Sequence, residues 1–135
     1  MDQLRKTRYK TKMRYVVDSL SIAESLIQNP TKVEERALYY CLFTSIESTM
    51  DLIAMLIKDK GNIPMGDNYN VEHLVSQGFV TEDLALHLKR CNGLRNVLVH
   101  QYNGIDREIV LDSFKDVKDA LSQMVRHMEE YLDES

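Results

Sequence analysis

The stretch GLRNVLVHQYNGID, Gly93 to Asp106, has to be read as the end of one helix and the approach to another. Asn103-Gly104 supplies a left-handed helix stop, and Asp106 can cap the next helix. The same stretch carries Arg95, His100 and Tyr102 inside an otherwise apolar run. On ideal geometry each residue advances about 100° around a helix, so Arg95 and Tyr102 lie about 20° apart and share a face. Arg95 and His100 are separated by about 140°, so one straight helix cannot aim both at one small ligand. Either the helix breaks before His100, or a second copy of the chain completes the site.

Upstream of this stretch, Thr81 caps a helix with Glu82 and Asp83 in its first turn. Its stripe is Leu84, Leu88, Cys91, Arg95, Leu98 and Tyr102. Downstream, Asp106 opens a helix over roughly 107–132, with Val110, Phe114, Val117, Leu121, Met124, Met128 and Tyr131 on one line. Toward the N-terminus, Met13, Val16, Val17, Leu20, Ala23 and Ile27 mark a helix over 3–28, stopped by Asn29-Pro30. Thr31 and Glu34 form a capping-box pattern for a helix over 32–59. That helix has a wide apolar stripe (Tyr39, Phe43, Ile46, Met50, Ile53, Ile57) beside a small or polar line, Ala37, Cys41, Thr44, Ser48 and Asp51. Small side chains at this spacing suit close helix packing, while Glu47 or Asp51 is the alternative, a contributor to a site. Residues 61–70 are loop by their Gly, Pro and Asn content, and a short helix starts behind Asn70 and ends at Gly78. Alternation at period two is absent over useful lengths. The expectation is an all-α fold: an antiparallel bundle of four long helices plus one short helix, a single domain over 1–135.

Composition agrees with a helical globular chain: 135 residues, 44% hydrophobic, 28% charged, five Gly and two Pro. Cys41 and Cys91 stand alone, without a disulfide framework or a C-x-x-C pair, which suits a reducing compartment. No apolar run is expected to reach the ~18 residues that cross a bilayer, and the N-terminus lacks a signal core, so the expected location is cytoplasmic. The net charge of −4 is uneven. Arg5, Lys6, Arg8, Lys10, Lys12 and Arg14 face only Asp2 in the first fourteen residues. This basic start either steers RNA or is a solvated helix face.

Chemically, an arginine can hold a phosphate through two parallel hydrogen bonds. A histidine near a helix C-terminus is a proton donor or acceptor favoured as imidazolium by about 0.3–1 kcal/mol. RNA cleavage by its own 2′-hydroxyl needs those two functions: proton transfer at two oxygens and stabilisation of a more negative phosphorus centre. No cofactor is called for. His73, His87 and His127 show no ligand spacing, so no metal is expected either. The bland alternative is a structural ion pair for Arg95 with Glu47 or Asp51, an ordinary partly buried His100, and Tyr102 packed on the Leu98 line.

Arg95-Asn96-Val97-Leu98-Val99-His100-Gln101-Tyr102 resembles the R-N-x-x-V-H-x-Y form of the R-x4-H-x-Y motif of HEPN (higher eukaryote and prokaryote nucleotide-binding) proteins, and looks most like the HepT branch. The resemblance extends over most of the chain. It implies a helical bundle that forms a homodimer, with the motifs of both subunits lining a cleft. It also implies a metal-independent endoribonuclease, the toxin of a type VII-like two-gene module whose antitoxin is an MntA-type nucleotidyltransferase. Carried over by position, Arg95 would polarise the scissile phosphate and His100 would move protons. Asn96 would support the site, and Tyr102 would line it and receive the AMP that silences the enzyme. The rival expectation is a HEPN interaction module that binds a nucleotidyltransferase or nucleic acid and cuts nothing.

Overall fold

The computed structural model describes residues 1–134, apart from the side chain of Tyr102. Five α-helices follow one another: α1 (Gln3–Leu26), α2 (Lys32–Asp59), α3 (Asp67–Ser76), α4 (Glu82–Val99) and α5 (Arg107–Asp133), with a 3-10 turn, Gln101–Asn103, between the last two. Among the described residues there is no strand. The four long helices and one short helix are the expected all-α bundle.

The caps foreseen in the chain operate. The Glu34 amide donates to Thr31 Oγ1 at 3.2 Å and the Thr31 amide to Glu34 Oε1 at 3.0 Å, a closed capping box on α2. Thr81 accepts from the Leu84 amide, and Asp106 from the Glu108 amide.

Chain direction is fixed by who meets whom. The start of α1 meets the end of α2, where Arg5 and Tyr9 bond Asp59. The start of α5 meets the start of α2, with Arg107 Nη1 3.4 Å from Glu35. Its far end meets the end of α2, where the Lys60 ammonium lies 5.1 Å from the centre of the Tyr131 ring. Thus α1, α2, α4 and α5 run up, down, up and down, and α2 touches all the others.

Burial explains that central place. Leu38, Leu42, Ile46, Leu52, Ile53 and Leu56 of α2 are wholly enclosed, as its wide stripe requires. Here one expectation is corrected. A stretch of α2 averages a mean hydropathy of 1.4, long and apolar enough to cross a bilayer, yet 56% of it is buried inside the bundle. Apolar stripes on several sides of one helix add up to a hydropathy that a single-run count misses.

Three boundaries shift. α1 ends at Leu26 because Asn29 turns left-handed, with φ 43°, ahead of Pro30. α3 starts at Asp67 and not behind Asn70. Asn70 lies inside it, buried, its amide donating to the Met65 carbonyl at 3.0 Å and accepting from the Met65 amide at 2.7 Å. A residue expected as a cap instead fastens the preceding loop onto the helix. α4 ends at Val99, four residues before the expected stop.

Candidate active site

Three helices converge on Arg95. It projects from α4, and its Nη1 lies 2.8 Å from Glu47 Oε1 of α2 and 2.5 Å from Asp67 Oδ2 at the start of α3. The arginine side chain is 16% exposed, against 45% for Glu47 and 35% for Asp67, so the cation is inside and the anions cover it. Burial alone would lower the Arg95 pKa. The bond to Asp67 and the charges of Asp67 and Glu47 outweigh that and hold it above its usual value. This is how an arginine is tolerated on the stripe that buries Leu84, Leu88, Cys91 and Leu98.

Of the two partners proposed from spacing, Glu47 is found on Arg95, whereas Asp51 faces Lys12 at 3.6 Å. Asp67 was not foreseen because residues 61–70 looked like loop. The available signal was an acidic residue just behind Gly66, where a helix N-terminus favours negative charge. The next rungs were missed as well. Asn92 Nδ2 donates to Asn68 Oδ1 at 2.9 Å, and Lys89 pairs with Glu72. Asp67, Asn68 and Glu72 thus meet Arg95, Asn92 and Lys89 in antiparallel order, while Val71 and Leu74 sink into the core beneath.

His100 is the exposed C-cap of α4, with φ −101° and ψ 37°. Its amide donates to the Val97 carbonyl at 3.2 Å, and its carbonyl accepts from the Asn103 amide at 3.0 Å. The helix therefore does break at His100. The break turns the chain from Gln101 onward away from the α4 axis. Asn96 is exposed beside Arg95. Tyr102 lies in the 3-10 turn, and its side chain falls outside the described residues. The expected face shared by Arg95 and Tyr102 is therefore not described, and with α4 ending at Val99 it no longer results from one helix.

A cavity of about 770 Å³ adjoins the motif. One wall is the first half of α2, with Lys32, Arg36, Tyr40 and Phe43; the other holds Val99 and Gln101, on either side of His100. Among the described residues no group of three or more His, Cys, Asp or Glu gathers as metal ligands.

A helical bundle that carries an arginine and a histidine at R-x4-H spacing beside an open groove defines a class, and comparison with known proteins narrows it. The HepT-like ribonuclease pattern matches residues 9–128. A protein of Archaeoglobus fulgidus described as a candidate RNase is 44% identical over 130 residues, covering 96% of this chain and 97% of its own. A tri-AMPylated Shewanella oneidensis HEPN toxin, solved in complex with an MNT antitoxin, superposes with a TM-score of 0.83 at 16% identity, over 96% of this chain and 99% of that one. A cytosolic Bacillus subtilis protein of unknown function superposes at 0.79 with 22% identity, over 95% and 90% of the two chains. At such low identity the two structures speak for the fold alone. The chain belongs to the HepT-like ribonuclease family, and its activity is RNA cleavage.

Proposed function

We propose that this ribonuclease is the toxin of a two-gene toxin–antitoxin module, and that it cuts RNA without a metal in a cleft shared by two copies of the chain. The observation that carries this reading is the different setting of the two motif residues. Arg95 is half-buried among α2, α3 and α4, while His100 is exposed at the end of α4. A second copy would complete the site, with Tyr40 and Val99, both exposed beside the motif groove, as the surface it covers.

In the cleft, Arg95 stabilises the charge that grows on the phosphate oxygens. One His100 takes the proton of the 2′-hydroxyl as its oxygen bonds to phosphorus, and the other gives a proton to the departing 5′-oxygen. The products are a 2′,3′-cyclic phosphate and a 5′-hydroxyl. Asn96 supports the site. Tyr102 accepts AMP from an MntA-type nucleotidyltransferase, a role suggested by the AMPylated fold relative in its antitoxin complex. A cytoplasmic location fits such a pair and the cytosolic relative.

The test is cleavage of single-stranded RNA by homogeneous protein in the presence of a chelator, with end-group analysis. His100→Ala is expected to fall by about a hundredfold or more, with stability unchanged within roughly 0.5 kcal/mol because the residue is exposed. Cleavage that survives His100→Ala rejects the assignment.

One observation favours a second reading. Arg95 is ion-paired, as a purely structural arginine would be. Arg95→Ala is expected to cost about 1–2 kcal/mol, since its partners are well exposed and screened. A loss beyond about 3 kcal/mol with wild-type cleavage retained marks the structural role.

A further inference from the structure

Arg95 faces the outside through two carboxylates. Glu47 and Asp67 bond the same nitrogen, at 2.8 and 2.5 Å, so one cation meets two anions and the formal charge of the trio is −1. A phosphodiester approaching Arg95 meets that surplus as repulsion. The arrangement therefore weakens phosphate binding, while it holds the guanidinium in one orientation from two other helices. Asp67 is not delivered by a loose loop. It opens α3, which is locked to α4 by the Asn68–Asn92 and Glu72–Lys89 contacts and anchored below by Val71 and Leu74.

We propose that Asp67 is a positioning residue for the Arg95 phosphate contact, with Glu47 as the second arm of the same clamp. Its bond aims the guanidinium, and its charge limits how tightly RNA is held. The proposal rests on Arg95 being the phosphate-binding group of the function proposed above.

Asp67→Asn separates the two effects, because it keeps the size and an acceptor oxygen while removing the charge. Equilibrium binding is measured with a single-stranded RNA of 2′-O-methyl riboses, which has no attacking hydroxyl. The set is wild type, Asp67→Asn, Arg95→Ala and the double variant. Asp67→Asn is expected to bind about fivefold tighter, and the gain is expected to vanish in the Arg95→Ala background. On cleavable RNA the same variant lowers both KM and kcat, a split that a loss of fold stability does not produce. Glu47→Gln is expected to show the same pattern and serves if Asp67→Asn fails to fold. Binding no tighter than wild type, or a gain that persists without Arg95, overturns the proposal. A wild type that cuts RNA without the KM and kcat split in the variants sinks the clamp alone. A wild type that neither binds nor cuts RNA sinks the proposed function and the clamp with it.

Discussion

Asp59 shows how much one carboxylate can hold at the end of the bundle opposite the motif. Arg5 grips it with two nitrogens, at 2.9 and 3.0 Å, and the buried Tyr9 donates its hydroxyl at 2.7 Å. Burial would raise the Asp59 pKa, but the bonds from Arg5 and Tyr9 outweigh it and leave the group below its ordinary 3.8. Tyr9 is pushed the other way, by burial and then by the Asp59 bond, and stays a neutral donor. A carboxylate whose folded pKa is depressed stabilises above its unfolded value and loses that contribution as pH falls through the folded one. Asp59→Asn is therefore expected to cost about 1–2 kcal/mol at pH 7, and the gap to wild type is expected to narrow in urea titrations as pH falls below the ordinary carboxylate value of 3.8. A constant gap down to pH 2 contradicts the charge-based account. The motif arginine shows what spacing can and cannot say at this scale. Glu47 and Asp51 are four residues apart on one side of α2, so helical periodicity offers both to Arg95 equally. Only the placement of α1, which brings Lys12 to Asp51, separates them.

Elements were legible wherever a cap is written in local chemistry. Thr31, Thr81 and Asp106 open their helices as expected, because each needs only its own side chain and an amide two or three residues on. The start of α3 was not legible, since Gly66 caps it without a side chain and Asn70 spends its amide on Met65. The end of α4 was foreseen as a left-handed stop at Gly104. Instead the chain leaves the helix at His100, makes one 3-10 turn, and passes Gly104 at φ 88° and ψ 140°. That conformation lies near a region open essentially to glycine. Gly104→Ala meets no atom within 4 Å, so its cost is backbone strain and not a clash. It is expected to lower stability by about 1–3 kcal/mol in thermal unfolding. An effect below roughly 0.5 kcal/mol shows that the turn relaxes freely.

The whole molecule poses the question that the motif raised: where Arg95 and His100 meet. If both His100 side chains serve one cleft, as base and acid, a mixed dimer of wild-type and His100→Ala chains keeps only one of them. Co-purified mixed dimers are expected to cut no better than the His100→Ala homodimer. Mixed dimers that keep about half of the wild-type cleavage remove the two-histidine cleft. The sequence by itself determined the helical class, the four long helices with most of their caps, and the identity of the motif. Each of these is encoded over a few neighbouring residues, through period, capping chemistry or local pattern. Tertiary structure alone decided that Asp67 reaches Arg95, that α3 zips onto α4, and that α2 is an interior helix despite a hydropathy fit for a bilayer. Those facts depend on contacts between residues 17 to 28 positions apart or on what covers a helix from outside. Neither local pattern nor periodicity carries that information.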